Sequence, residues 1–188
     1  MSDRKHRICP WWLGYFLAGP VRRLFLDPEA MLMPHVTEGM LVLDVGCGMG
    51  FFSLPLAKLV GRSGHVICID LQSKMIGGLM KRAGKSGLSD RIDARVSTQD
   101  HLPLDGETGK IDFALAFAVV HEVPDKDRLF AEICNALKRG ARLLLAEPGG
   151  HVREKEFEET IRIAVNAGFE TVDRPTIRSS RAVVLRKK

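Results

Sequence analysis

Short apolar runs alternate with helix-patterned segments along most of this chain, and this alternation limits the fold more than any other feature. Seven runs have the composition of buried strands: Leu41–Val45, His65–Ile69, Ile92–Ser97, Ile111–Phe117, Arg142–Ala146, Phe169–Val172 and Ala182–Leu185. Four segments between them have helical spacing: Phe51–Val60, Gln72–Lys85, Asp125–Lys138 and Arg153–Ala167. Apolar strands that alternate with helices predict an α/β fold, in which helices cover both faces of a single doubly wound, mostly parallel sheet.

Polar side chains cluster directly after several of the predicted strands. The clusters are Asp44–Gly50, Asp70–Gln72, Thr98–Asp100, His121–Glu122 and Glu147–His151. Right-handed crossovers place the carboxyl ends of parallel strands along one edge of the sheet. Ligands bind at that edge, near the point where the strand order reverses. We therefore predict a ligand site built from these clusters.

The composition is that of a globular protein with one main domain and a mild positive charge. The chain has 188 residues, of which 45% are hydrophobic and 27% charged, and its formal net charge is +5. The basic residues are dispersed except at the two ends, so we do not predict nucleic acid as a partner. Four cysteines without a CxxC pair favour reduced thiols and a cytoplasmic protein.

The N-terminal segment combines basic and apolar residues, as a leader or a membrane anchor does. Arg4–Arg7 precede the apolar run Ile8–Pro20. This run is shorter than the roughly 20 residues that a spanning helix needs, and it lacks a clean small-residue cleavage site. We expect a retained segment and no membrane span. A helix lying on a membrane surface is an alternative, because basic and aromatic residues occur together there.

A glycine-rich loop and an acid after the next strand form the most specific pattern. Gly46, Gly48 and Gly50 have GxGxG spacing, which differs from the GxGxxG of dinucleotide folds and from the lysine-containing phosphate loop. Glycines let the backbone approach a ligand closely and adopt positive φ. Asp70 follows the second strand, where a carboxylate can accept hydrogen bonds from both hydroxyls of a ribose.

These segments resemble the class I S-adenosylmethionine-dependent methyltransferases. Val42–Gly50 is similar to the first motif of that family, Asp70 to its ribose-binding acid, and Leu137–Leu145 to a later landmark. The resemblance covers residues 36–188, the expected cofactor-binding domain, and implies a seven-stranded sheet of order 3-2-1-4-5-7-6 with its last strand antiparallel. Residues 1–35 are then an N-terminal helical lid over the acceptor site.

The resemblance also implies which residues contact the methyl donor, S-adenosylmethionine. They are Asp44, Gly46, Gly48, Gly50, Asp70, Leu71, Gln72, Thr98, Gln99 and Phe117. Asp70 would hold the ribose, and Asp44 would support the loop and the amino group of the cofactor. Many members carry an adenine-binding acid where this chain has Thr98, so Thr98 and Gln99 are the expected adenine contacts, with Asp100 as the alternative.

Three residues are candidates for catalysis because they follow the fourth and fifth strands: His121, Glu147 and His151. One of them would orient or deprotonate the acceptor, since an imidazole titrates near neutral pH. The alternatives are a structural loop for His121, and a salt bridge or helix cap for Glu147 and His151. These three residues and Cys9 are plausible ligands for a transition metal, but their spacing matches no metal motif, and we predict no metal.

The predicted function is methyl transfer from S-adenosylmethionine to a small-molecule acceptor. The chain has no separate substrate domain, and Phe117–Val120 stands where amino-directed nucleic-acid enzymes carry an NPPY-like tetrapeptide. Two alternatives stay open. One is methylation of RNA or protein, and the other is a module that binds the cofactor without catalysis. The sequence makes no prediction about oligomeric state.

Overall fold

The computed structural model describes residues 26–188. The predicted lid contributes its last ten residues, 26–35, to this range. Its remainder, which includes Cys9 and both tryptophans, lies outside the described residues. Within the described part of the chain, no helix is long and apolar enough to cross a membrane.

The described residues contain one sheet of seven strands. In chain order the strands are β1 (Leu41–Val45), β2 (His65–Asp70), β3 (Ile92–Val96), β4 (Ile111–Phe117), β5 (Leu137–Pro148), β6 (Phe169–Asp173) and β7 (Ser180–Lys187). Their order across the sheet is β3-β2-β1-β4-β5-β7-β6. Strand β7 is antiparallel to β5 and β6, and all other neighbours are parallel. The predicted fold and strand order are thereby confirmed.

Five α-helices lie in the described part of the chain. They are α1 (Pro28–Leu32), α2 (Ser53–Leu59), α3 (Ser73–Lys85), α4 (Lys126–Ala136) and α5 (Glu154–Asn166), with short 3-10 helices at Ser89–Arg91 and Val120–Glu122. Side-chain caps begin two of them. Asp27 Oδ1 accepts hydrogen bonds from the Glu29 and Ala30 amides at 3.0 and 3.1 Å before α1, and Asp125 accepts one from the Arg128 amide at 2.9 Å before α4.

The two faces of the sheet carry separate apolar layers. Helices α1, α2 and α3 cover one face, where Leu56, Leu79 and Phe113 are buried in one cluster. Helices α4 and α5 cover the other face, where Phe130 and Phe157 are buried. Because both faces are covered, the carboxyl edge of the parallel strands is the part of the sheet left open for a ligand.

The boundary between α4 and β5 differs from the sequence prediction. Leu137 and Lys138 were expected to end the helix, since Leu137 follows Ile133 at helical spacing. That prediction was wrong, because α4 ends at Ala136 and Leu137 has extended backbone paired with Ile111 of β4. Full burial of Leu137 against the sheet outweighs its helical propensity.

Candidate active site

The glycine-rich loop after β1 is tied to the end of β2 by backbone hydrogen bonds. The amides of Gly46 and Cys47 both donate to the Ile69 carbonyl, at 2.8 and 3.0 Å. Gly46, Gly48 and Gly50 have φ values of +70°, +53° and +81°. These left-handed conformations strain any residue with a Cβ, which explains why glycine is needed at all three positions.

The three glycines have different surroundings. A Cβ on Gly46 would lie 2.6 Å from the Val119 Cβ, so the loop after β1 touches the loop after β4. A Cβ on Gly50 would collide with Leu79 of α3. A Cβ on Gly48 would meet nothing within 4 Å. Gly48 therefore borders open space, as expected of the glycine closest to a ligand, whereas Gly46 and Gly50 allow close packing.

Asp70, the last residue of β2, joins the glycine loop to the start of α3. Its Oδ2 accepts a hydrogen bond from the Gly48 amide and its Oδ1 accepts one from the Gln72 amide, both at 2.9 Å. Burial raises the pKa of this carboxyl, and the two amide hydrogen bonds oppose that effect. Each oxygen keeps a second lone pair, so Asp70 can also accept hydrogen bonds from the two hydroxyls of a ribose.

Asp44 lies beneath the loop and is only 2% exposed. Among the described residues its side chain accepts one hydrogen bond, from the Ser53 hydroxyl at 2.6 Å. Burial, with a smaller contribution from the negative charge of Asp70, raises the pKa of Asp44 to about 7. A buried carboxyl with so little compensation favours a cationic ligand, and the amino group and sulfonium of S-adenosylmethionine both carry positive charge.

The predicted adenine contacts follow β3, which runs beside β2. The Ser97 amide donates to the Asp70 carbonyl at 3.0 Å, and this bond brings the end of β3 to the end of β2. Thr98, Gln99 and Asp100 are all exposed. Leu71 and Gln72, which follow β2 on the same side of the site, are half-buried. The geometry leaves Thr98, Gln99 and Asp100 open as adenine contacts.

Phe117, the last residue of β4, is buried. The ring of Phe117 lies 4.6 Å, centroid to centroid, from the ring of Phe52, which precedes α2. Ala118 follows with φ of +57°, an unusual conformation for a residue with a Cβ. Its amide donates to the Ala146 carbonyl at 2.8 Å, which holds the strained turn against β5. Strain of this kind collects at functional sites.

His121 and Glu147 form a hydrogen-bonded pair at the ends of β4 and β5. His121 Nδ1 lies 2.5 Å from Glu147 Oε2. The other oxygen, Oε1, accepts hydrogen bonds from the amides of Val120 at 2.8 Å and His121 at 3.3 Å. Glu147 is only 1% exposed. The hydrogen bond to Glu147 raises the pKa of His121, against an opposing effect of burial.

The third catalytic candidate, His151, lies at the rim of the same site. Its ring centroid is 6.2 Å from that of His121, and its side chain is exposed. Within the described residues, no group of three or more His, Cys, Asp or Glu side chains could hold a metal ion. Cys9, the fourth residue of the metal hypothesis, lies outside the described residues. Cys47, Cys68 and Cys134 are free and buried.

Sequence reasoning missed two residues that bear on this site. The Ser53 hydroxyl donates a hydrogen bond to Asp44. Its position in the first helical turn after the glycine loop is the sequence feature that could have indicated this contact. Arg181 lies directly opposite Glu147 in the β5–β7 pairing. No local motif marks Arg181, because only the antiparallel register of β7 brings it to the site.

The sheet has the strand order of a class I methyltransferase domain. The open space at Gly48 and the two acids at the ends of β1 and β2, Asp44 and Asp70, fit S-adenosylmethionine. A family model described as a methyltransferase domain matches residues 36–174. The chain therefore belongs to the class I S-adenosylmethionine-dependent methyltransferases, for which S-adenosylmethionine is the methyl donor.

Individual relatives agree with this assignment. The ubiquinone biosynthesis O-methyltransferase of Rhizobium etli is 32% identical over 164 residues, which cover 87% of this chain and 58% of that protein. The arsenite methyltransferase of Halobacterium salinarum is 30% identical over 144 residues, covering 73% and 35%. The crystal structure of a methyltransferase from Aquifex aeolicus matches with a TM-score of 0.85 at 26% identity, covering 96% of this chain and 100% of that one. The chain spans less than two thirds of the length of the curated relatives it matches.

Proposed function

We propose that this chain transfers a methyl group from S-adenosylmethionine to a hydroxyl group of a small molecule, with His121 as the general base. The observation that carries the proposal is the pair formed by His121 Nδ1 and the buried Glu147 carboxylate, 2.5 Å apart. The pair stands beside the loop that contacts Gly46 through Val119. A base and the donor site thus share one edge of the sheet.

The chemistry assigns each group a role. When bound, S-adenosylmethionine supplies a methyl group on a sulfonium, whose leaving group is a neutral thioether. The protein needs to align the acceptor and, where the acceptor is a hydroxyl, to take its proton. His121 Nδ1 donates to Glu147, so Nε2 carries the free lone pair that accepts this proton. The proton moves from the acceptor oxygen to Nε2 as that oxygen bonds to the methyl carbon.

Glu147 acts as a positioning residue in this scheme. Its carboxylate accepts hydrogen bonds from the Val120 amide, the His121 amide and the His121 ring, so it fixes both the turn and the imidazole. These three hydrogen bonds also compensate the burial of its charge. His151 is exposed and lies on the outer side of the His121–Glu147 pair. We place it at the acceptor site as well, where it contacts the acceptor but does not take its proton.

A small-molecule acceptor is supported by the relatives. The names of these two relatives refer to arsenite and to ubiquinone biosynthesis, and both of these concern small molecules. We further propose that the protein works in the cytoplasm and that nucleic acid is not its substrate.

A test measures methyl transfer from labelled S-adenosylmethionine to pools of small metabolites, total RNA and protein. We expect label in the small-molecule pool only. Label in RNA or protein alone would contradict the proposed acceptor class, and no transfer despite tight cofactor binding would favour the non-catalytic alternative.

The role of the base is tested by the pH dependence of turnover. Because His121 works as the neutral imidazole and its pKa is raised, kcat should increase with pH up to an inflection above 6.5. Glu147→Gln removes the charge that stabilises the imidazolium, so its inflection should move to lower pH, with kcat reduced about tenfold or more. His121→Asn should remove the inflection, while cofactor affinity stays unchanged. An identical pH profile in all three proteins would refute the assignment of His121.

A further inference from the structure

Arg181 is the second residue of β7, the strand next to the one that ends with Glu147 and Pro148. It is directly opposite Glu147 in the antiparallel β5–β7 pairing. Directly opposite residues of such a pair project to the same face, with Cα atoms about 4.5–5.5 Å apart. Arg181 and Glu147 therefore occupy the same face of the sheet, and the two residues stand on neighbouring strands.

Two hydrogen bonds hold the guanidinium in place, and its other N–H groups are available to a ligand. Arg181 Nε donates to Glu154 Oε2 at 2.7 Å, and one terminal nitrogen donates to the Gly149 carbonyl at 2.9 Å. A guanidinium has five N–H donors, so three remain without a partner in the described part of the chain. Glu154 is 66% exposed, whereas the Arg181 side chain is 28% exposed. The guanidinium is thus fixed in place before a ligand binds, and the Glu154 carboxylate that holds it is largely in solvent.

An open groove surrounds this guanidinium. Its lining consists of Gly149, Gly150, Glu154, Ser179, Ser180 and Arg181. The hydroxyls of Ser179 and Ser180 have no hydrogen-bond partner among the described residues, and a Cβ on Gly150 would meet nothing within 4 Å. Two hydroxyls and a fixed guanidinium that line the same open groove are donors that can bind a carboxylate or phosphate group.

We propose that this groove is an anion subsite of the acceptor pocket, so that the acceptor carries a carboxylate or phosphate group held by Arg181 while its hydroxyl meets His121. This inference rests on the proposed function and adds the charge of the substrate to it. The planar guanidinium binds such a group through two parallel hydrogen bonds, which fixes orientation as well as adding affinity.

The test compares acids with their neutral isosteres by calorimetry on the S-adenosylhomocysteine complex. The probes are 3-hydroxybenzoate, 4-hydroxybenzoate and 4-hydroxyphenylacetate, each against its amide, and 4-hydroxyphenyl phosphate. We expect at least one anion to bind about tenfold or more tightly than its neutral partner. A preference for the phosphate over all carboxylates would identify the anion as a phosphate.

Variants of β7 assign the preference to Arg181. Arg181→Met should abolish it, and Arg181→Lys should retain part of it, because lysine keeps the charge but loses the planar fork. The matched control is Arg186→Met, since Arg186 lies on the same strand and forms an ion pair with Glu170 instead. Unchanged amide binding in Arg181→Met shows that the variant is folded.

Two results would overturn the proposal. One is that no anion binds better than its neutral partner in the wild-type protein. The other is that Arg181→Met and Arg186→Met reduce the preference equally. Both results leave the His121 hypothesis intact, because that hypothesis is tested by the pH profile of turnover and this one by binding alone.

Discussion

Replacing Asp44 by asparagine should remove a pH-dependent loss of stability from the folded protein. The Asp44 side chain is 2% exposed, and its one hydrogen bond among the described residues comes from the Ser53 hydroxyl. Asparagine has nearly the same size, and its carbonyl oxygen can accept the same hydrogen bond. The substitution therefore changes the charge and leaves the packing almost unaltered.

The sign and size of the effect follow from the pKa of Asp44, which burial raises from 3.8 to about 7. Between these pH values the folded state binds a proton that the unfolded state has released, so the free energy of unfolding falls as pH rises. The full difference corresponds to about 4 kcal/mol, and about 2.5 kcal/mol of it falls between pH 5 and pH 8. Asparagine does not titrate, so any cost of its buried amide is the same at every pH.

The assay is urea unfolding of the wild-type protein and Asp44→Asn at pH 5 and pH 8, without cofactor. The stability of the variant relative to wild type should be about 2.5 kcal/mol more favourable at pH 8 than at pH 5. Asp90→Asn is the matched control, because it makes the same chemical change at an exposed position. Equal differences for Asp44→Asn at the two pH values would refute the argument that burial raises its pKa.

Further predictions concern the cofactor site. Asp70→Ala should weaken binding of S-adenosylhomocysteine about tenfold to a hundredfold in calorimetry, because a charged hydrogen-bond acceptor is lost; unchanged affinity would contradict its assignment to the ribose. Gly48→Val should fold but lose cofactor binding, because its side chain would fill the open space at a φ of +53°. Gly46→Ala should instead lower the stability by about 1–3 kcal/mol, since its Cβ collides with Val119. Normal cofactor binding by Gly48→Val would place the cofactor elsewhere.

Continuous apolar strands were the part of the fold that the sequence predicted best. The bounds of β1 and β4 agree with the predicted Leu41–Val45 and Ile111–Phe117, because Gly46 ends the first run and Lys110 precedes the second. The start of β5 could not be predicted locally. Leu137 has helical spacing with α4, and only its pairing with Ile111, a contact distant in sequence, places it in the strand.

The candidate site shows the same division. The contact between the glycine loop and Asp70 was predictable, because it joins the ends of two strands that the resemblance makes neighbours. His121 and Glu147 were named separately, but their hydrogen bond was not predicted. That bond depends on a turn in which Ala118 adopts positive φ and so returns His121 to the end of β5. No alternation of apolar and polar residues encodes such a turn.

The two most deeply buried acids at the edge of the sheet differ in how their burial is compensated, and this difference separates their functions. Glu147 accepts three hydrogen bonds from the turn it organises, so its charge is compensated before any ligand arrives. Asp44 accepts one hydrogen bond among the described residues, and its raised pKa shows that this bond does not offset the burial of its charge. A cationic cofactor supplies what Asp44 lacks and should stabilise the ionised form, so cofactor binding near pH 7 should release a proton from Asp44. The stability that the free protein loses at Asp44 as the pH rises toward 7 is thus recovered when the methyl donor binds, whereas Glu147 holds His121 in place in both states.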